Sequence, residues 1–547
     1  MTASLLLLIL AATPDPAAPP PPDTVVVCPP AFQATLRPWI DFRTGQGHQI
    51  IVISNLQPME GIRQEIRRQA QGGRLKYVVL VGDADPALTV DPMVWTRSIP
   101  TYRAATEVLK LYDAVPHIGT DNWYADLNDD QIPDVAVGRL SADTPKQLAS
   151  IVQKTLAYEQ SPDFGLWRRQ VNVVAGVGGF NALTDSLIES ATRHFLSREL
   201  PADYQLTMTY ANWRSPYCPD PREFNRSTLE RLHEGCLFWV YLGHGYHVCL
   251  DQIWVPGGHY PILANSDIPQ IACRHGAPIA LFLSCYAGAF DANQQCLAEE
   301  MLRTPGAPVA VIAGSRVTMP YGMSVLGTEL LDECFRRHTT TLGEALLHAK
   351  QRMMQPAGKP TEGRAMLDTL AGFLSPTSNK LAVERAEHVM LFNLLGDPML
   401  RLRYPQPVTI ELSGKAYAGR PLGVHVLSGI DGQAIVELVV RRDRLSFAPP
   451  TRAEYPKTAD RLAEFQTTYR QANDGRLATA AAACVDGECA AQLQIPPDAS
   501  GPCHVRVFVE GRNDFAQGAV DVNLGELILP LSPPKEPMRA ARPTTVR

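Results

Sequence analysis

The chain has 547 residues, with 50 Lys and Arg against 56 Asp and Glu for a formal charge of −6, and is 45% apolar and 19% charged. This is a globular composition, and at about 150 residues per domain it holds three or four cores. A weakly acidic chain without a Lys/Arg block lacks the basic patch that nucleic acid or an anionic membrane surface demands, so no nucleic-acid partner is expected.

At the N-terminus, residues Ser4 to Ala12 read SLLLLILAA and run into a proline-rich stretch, Pro14 to Pro22. Nine apolar residues are too few to span a bilayer, which takes about 20. Residues 1–23 therefore read as a signal peptide or proline-rich leader, although no Lys or Arg precedes the apolar run. No other run reaches spanning length, so no membrane span is expected, and the expected location is secreted or periplasmic.

From Thr24 short β-branched runs alternate with amphipathic stretches. Strands are expected at Thr24 to Val27, Gln49 to Ile53, Tyr77 to Val81, Val135 to Val137, Val171 to Ala175, Cys236 to Leu242, Pro278 to Ser284 and Pro308 to Ala313. Helices are expected at Ile62 to Gln71, Thr144 to Tyr158, Asp185 to Glu199, Thr228 to Glu234, Cys296 to Arg303 and Gly327 to Arg336. The alternation implies an α/β fold, with a mainly parallel sheet covered by helices on both faces. After Tyr404 the pattern turns to alternating strands with little helical period, as in an immunoglobulin-like β-sandwich. The expected division is a leader (1–23), an N-terminal α/β subdomain (24–140), a second, catalytic α/β subdomain (141–403), the sandwich (404–527) and a disordered tail (528–547).

Eleven cysteines occur, none in a CxxC pair, and most read as small buried hydrophobes. Cys484 and Cys489 bracket the turn-like Val-Asp-Gly-Glu, where a hairpin disulfide would form in an oxidising compartment.

The chemistry concentrates at two strand ends. One buried strand runs into Gly243-His244-Gly245, the other into Cys285-Tyr286-Ala287-Gly288. In open α/β sheets ligands bind at the carboxyl ends of the strands. A Cys and a His delivered to one such edge are the parts of a thiol nucleophile and its proton-transfer partner. A free thiol with pKa near ~8.5 is mostly protonated at neutral pH, so an imidazole or a helix N-terminus is needed to raise its thiolate fraction. The Gly245 and Cys285 N–H groups are placed to receive a developing oxyanion. No HExxH, Walker A or GxSxG motif occurs, so zinc, nucleotide and serine-hydrolase chemistries lack support, and no cofactor is required for catalysis.

These motifs carry a resemblance. Tyr77 to Asp83 (YVVLVGD), Pro133 to Arg139 (PDVAVGR), Tyr241 to Gly245 with Trp254 downstream, Ser284 to Asp291 (SCYAGAFD), Val309 to Ser315 (VAVIAGS) and Leu395 to Pro398 (LGDP) follow one another as in the gingipain-type cysteine peptidases, family C25 of the caspase-like clan. The resemblance implies a two-subdomain caspase-like unit followed by the sandwich. It implies a cysteine endopeptidase with His244 and Cys285 as dyad, acting on protein or peptide substrates. The dyad spacing, 285 − 244 = 41, is longer than in familiar members, with the extra length in the loop Tyr246 to Gln270 at the cleft rim. Arginine-directed members carry a Glu before a Gly-Gly and acidic P1 readers after it. Here Val177 replaces the Glu, and Asp185 and Glu189 are the out-of-register acids, either substrate-binding or plain helix-start charges. A caspase-like binding or surface module without turnover is the alternative.

Finally, Asp126, Asn128, Asp130 and Asp134 place oxygen side chains at positions 1, 3, 5 and 9 of one loop. That is either a structural Ca²⁺ loop without the usual glycine and distal Glu or an acidic turn. Oligomeric state and P1 preference are not written in these patterns.

Overall fold

The computed structural model describes residues 20–84, 92–112, 115–176, 200–355, 362–456 and 458–525. The apolar run Ser4 to Ala12, residue Val177, the expected helix Asp185 to Glu199 with Asp185 and Glu189, and the tail 528–547 lie outside them.

Ten strands form one sheet: β1 Thr24–Val27, β2 Ile50–Ile53, β3 Tyr77–Val81, β4 Ala136–Leu140, β5 Gln170–Ala175, β6 Gln205–Tyr210, β7 Phe238–Leu242, β8 Ile279–Leu283, β9 Ala310–Gly314 and β10 Phe392–Leu395. Their order is β2-β1-β3-β4-β10-β9-β8-β7-β5-β6. All pairings are parallel except β9 with β10, so the sheet has two parallel halves running in opposite directions. The carboxyl ends of β7, β8 and β9 therefore share one edge, and those of β3 and β4 lie on the opposite edge.

Every residue of β3, β8 and β9 is buried, as strands covered on both faces require. The side chains alternate between layers: Ala280 and Phe282 join one core, Ile279, Leu281 and Leu283 the other. Burying a side chain the size of Phe282 contributes about 1.5–3 kcal/mol. Helix Pro145–Gln160 shows the local logic of the layers. Thr144 and Gln147 form a capping box, proline sits in the first turn, and Leu148, Ile151, Val152 and Thr155 face the core.

Six of the expected strands are displaced at their ends by one to three residues, and two strands, β6 and β10, carry too mixed a pattern to stand out. QLTMTY alternates polar residues at the sheet edge, and FNLL is four residues long. Helices Pro30–Gly45, Leu342–Met354 and Leu381–Leu391 were likewise not expected. The first contains Pro38, which breaks the sequence pattern of a helix more than the helix itself.

After Tyr404 an immunoglobulin-like β-sandwich follows, with strands β11 Gln406–Leu412, β12 Pro421–Ser428, β13 Gly432–Val440, β14 Arg476–Cys484, β15 Glu488–Gln494, β16 Gly501–Glu510 and β17 Phe515–Leu524. Their order, β14-β13-β16-β17-β11-β12-β15, puts the two hairpin-linked strands β14 and β15 at its ends, so the sandwich is nearly closed. Cys484 and Cys489 are joined across that hairpin.

The expectation of little helix here is corrected by helix Ala459–Ala472, inserted between β13 and β14. It serves the α/β unit. Tyr469 Oη meets Thr209 Oγ1 at 2.7 Å and accepts from Arg231 Nε at 2.9 Å. Asn473 Oδ1 accepts the Met208 N–H at 2.7 Å, and its Nδ2 donates to the Met208 carbonyl at 2.9 Å. The exposed edge of β6 is thereby covered. A second tie is buried: Glu437 of β13 accepts from Arg169 at 2.8 Å and Arg506 at 2.6 Å. Among the described residues no helix is long and apolar enough to cross a membrane.

Candidate active site

β7 and β8 are immediate neighbours, in register from Phe238 opposite Ile279 to Leu242 opposite Leu283. His244 and Cys285 each lie two residues past a paired leucine, so the two loops leave the same edge side by side. Gly245 shows how closely they meet. A Cβ at this position would lie 2.6 Å from the Cys285 carbonyl oxygen and 2.8 Å from Ser284 Oγ, a space only glycine fits. The imidazole of His244 is exposed and the Cys285 thiol half-buried.

The His244 backbone is held from two sides. Its carbonyl accepts the Tyr241 hydroxyl at 2.8 Å and the Asp251 N–H at 3.2 Å. Burial holds the Tyr241 phenol far above its ordinary range, so it stays a donor. Among the described residues neither the Gly245 N–H nor the Cys285 N–H donates to a backbone carbonyl.

A third strand contributes what the sequence reading missed. β9 pairs in parallel with β8, and the turn after it bends back over Cys285. The Thr318 N–H donates to Cys285 Sγ at 3.3 Å, and Thr318 Oγ1 lies 3.6 Å from the same sulfur. Tyr286, at φ 56°, donates its N–H to the Arg316 carbonyl at 3.0 Å, and Gly288 donates to Gly314 at 3.0 Å. Arg316 grips Asp291 through two bonds of 2.7 and 2.6 Å, so the acid of the SCYAGAFD motif is engaged in an internal pair. His247 stacks on Tyr286 with ring centres 4.7 Å apart, and burial, then the Arg316 charge, hold its pKa below the ordinary value. Nothing in the local sequence marks Thr318 beyond its place four residues after a buried strand.

In the Asp126–Asp134 loop the four oxygen residues do stand close. Asn128 Nδ2 donates to Asp130 Oδ2 at 3.2 Å and to Asp134 Oδ1 at 3.3 Å. Burial, and then the neighbouring Asp130 and Asp126 charges, raise the Asp134 carboxyl against the pull of the Leu127 N–H. Yet Asp126 is occupied by the N–H groups of Asn128, Asp129 and Gln131 and by Arg63 at 3.2 Å. Among the described residues no group of three or more acidic, His or Cys side chains is arranged to hold a metal ion. The donor chemistry suits calcium, and Arg63 pins the Asp126 carboxylate from one side of the loop.

The model of peptidase family C25 matches residues 17–403, most of the chain. The chain belongs to peptidase family C25. Gingipain R2 of Porphyromonas gingivalis is 22% identical over 368 residues, which cover 64% of this chain and 44% of that protein. Lys-gingipain of the same species is 21% identical over 285 residues, covering 50% and 14%. The chain thus spans less than half the length of these curated relatives. Among solved structures, that of the Arg-specific cysteine proteinase gingipain R superposes with a TM-score of 0.51 at 16% identity, covering 92% of this chain and 98% of that one. The complex of the pro- and mature domains of a P. gingivalis gingipain gives the same TM-score and identity, over 92% and 100%. At that identity the likeness is one of fold.

Proposed function

We propose that this C25 peptidase is a cysteine endopeptidase in which Cys285 Sγ attacks the scissile carbonyl carbon of a peptide substrate and His244 handles the proton. The observation that carries the proposal is the Leu242–Leu283 register, which sends His244 and Cys285 out of adjacent parallel strands at equal offset. The thiol proton passes to His244 as the sulfur–carbon bond forms. The tetrahedral oxyanion is received by the Gly245 and Cys285 N–H groups. His244 then protonates the leaving amine, and a water molecule, deprotonated by the same imidazole, releases the acid from the thioester. No cofactor enters these steps.

The test is labelling of the full chain with a thiol-directed active-site probe. Labelling at Cys285, lost together with peptide hydrolysis in Cys285→Ala, supports the dyad. Hydrolysis that survives Cys285→Ala refutes it, and absence of hydrolysis by the wild type on any peptide would leave a binding module.

Export to an oxidising compartment is supported by the Cys484–Cys489 link and by the apolar run at Ser4 to Ala12. A basic P1 preference is supported by the names of the Arg- and Lys-directed relatives, with Asp185 and Glu189 as the pocket acids. A P1-varied peptide library decides it. Preference for Arg or Lys that is lost in Asp185→Asn or Glu189→Gln supports the assignment, and a neutral preference removes it.

A further inference from the structure

The turn that meets Cys285 is itself anchored by a side chain far away in sequence. Met319, directly after Thr318, caps the 16-residue helix Pro320–Phe335. Its N–H donates to Nε2 of His388 at 2.9 Å. His388 is completely buried on helix Leu381–Leu391, and its Nδ1 bonds the Glu384 carbonyl at 2.7 Å. That carbonyl can only accept, so Nδ1 carries the proton and Nε2 is the acceptor, which fixes a neutral tautomer. Burial agrees, lowering the imidazole pKa to about 4. The ring is also packed tightly: a Cβ on Gly322 would lie 2.4 Å from it. Glu384 of the same helix accepts the Gly322 N–H at 3.0 Å.

We infer that His388 is a positioning residue for the nucleophile: by holding the Met319 N–H it aims the preceding Thr318 N–H, at the N-terminal end of helix Pro320–Phe335, at Cys285 Sγ. A backbone donor 3.3 Å from the sulfur stabilises the thiolate more than the thiol, and the positive end of a helix acts in the same direction. The inference rests on Cys285 being the nucleophile. Other charged or titratable groups around that thiol are the Tyr241 phenol, His244 at the next strand exit, His247 on the Tyr286 ring, the Arg316–Asp291 pair, and Asp251, whose N–H holds the His244 carbonyl.

The two ring nitrogens permit a test that a purely structural histidine would fail. An asparagine amide nitrogen overlays Nδ1 and a glutamine oxygen overlays Nε2, so His388→Asn keeps the Glu384 bond and loses Met319, while His388→Gln does the reverse. Alkylation of Cys285 by iodoacetamide, read at that residue by peptide mass spectrometry between pH 5 and 10, reports its thiolate fraction. The expected result is an upward shift of the midpoint by about one unit in His388→Asn, with His388→Gln close to wild type. Equal shifts in both variants, or no shift in His388→Asn, overturn the inference. Should the Asn variant not fold, Gly322→Ala, which pushes the ring away, must raise the midpoint likewise, and an unmoved midpoint there also overturns it. Hydrolysis by Cys285→Ala is measured in parallel. Its survival defeats the nucleophile assignment, whereas the alkylation profile reads the Thr318–His388 link in either case.

Discussion

Asp83, the last residue of the YVVLVGD motif, lies at the sheet edge opposite Cys285 and makes a sharp prediction about stability and pH. Its carboxyl group meets Ser141 Oγ at 3.0 Å and accepts the Ala84 N–H at 2.8 Å, while Ser141 Oγ donates its one proton to Glu299 at 2.8 Å. Arg303 alone faces three carboxylates, Asp83 at 3.4 Å and Glu299 and Asp143 at 3.0 Å each. Burial first, and the Glu299 charge second, push the Asp83 pKa up to about 7. Asp143 is raised too, by burial and then by Asp83.

Between about pH 4 and 7 the folded chain therefore holds a proton at Asp83 that the unfolded chain releases, so stability falls as pH rises and the loss is complete above 7. Three units at about 1.4 kcal/mol each set a ceiling of ~4 kcal/mol. Sharing of the proton with Glu299 and Asp143, and the 16% of the Asp83 side chain left exposed, lower it. Asp83→Asn removes the slope. The variant should exceed the wild type in urea resistance at pH 8 and converge with it near pH 4, followed by tryptophan fluorescence. Comparing the two proteins isolates Asp83 from Lys154 and Lys350, which burial lowers to about 7. A wild type that gains on the variant as pH rises from 4 to 7 would refute the reasoning.

Other expectations follow from the same contacts. Cys285→Ala and His244→Ala should each abolish hydrolysis with little change in melting temperature, and the double variant should cost no more than either alone, as kinetics on one peptide will show. Asp397→Ala should destabilise by about 3 kcal/mol, measured by urea unfolding, because it removes one partner of the fully buried Arg43 (2.6 Å) and of Trp39 Nε1 (2.5 Å) while Glu159 remains at 2.7 Å. A chelator should leave the melting temperature unchanged, given how Arg63 and backbone N–H groups already occupy Asp126. A fall that Asp126→Ala with Asp130→Ala removes would restore the calcium loop.

The strands carrying the site were legible because burial on both faces leaves nothing but apolar residues, as in IALFL, whereas the close approach of Gly245 to the Cys285 carbonyl was visible only in the structure. The same logic failed for β6, whose outer edge is covered by Tyr469 and Asn473 from a helix more than 250 residues later in the chain. No local pattern encodes such a partner. Thr318 and His388 escaped for a related reason: neither residue type is unusual in its own segment, and their importance arises where the exits of β8 and β9 meet a helix from another part of the sequence. The acids Asp83, Asp291 and Asp397, by contrast, sit in motifs that are visible in the sequence, but the structure assigns each to an internal ion pair or proton-sharing cluster. Motif recognition located them, and only geometry shows these internal roles.

The long spacing between His244 and Cys285 need not disturb their geometry. The loop after His244 is stitched shut at its base: Gly245 bridges Leu250, the Asp251 N–H bonds the His244 carbonyl, and the Leu250 and Ile262 N–H groups bond Leu263 and Asp251. Beyond this clamp the chain projects as a two-stranded ribbon, Gln252–Val255 with Gly258–Pro261, bearing Trp254 with 61% of its surface exposed and His259 paired across from it. Length added above the clamp extends the ribbon without moving the His244 backbone. A strand rises about 3.3 Å per residue, so Trp254, three residues beyond Asp251, stands roughly 10 Å along the ribbon from the clamp. Cys285 is held independently, by the pairing of β8 with β9 and by the Thr318 N–H. On the proposed dyad, Trp254→Ala should raise KM for long peptides while leaving kcat for a minimal substrate unchanged.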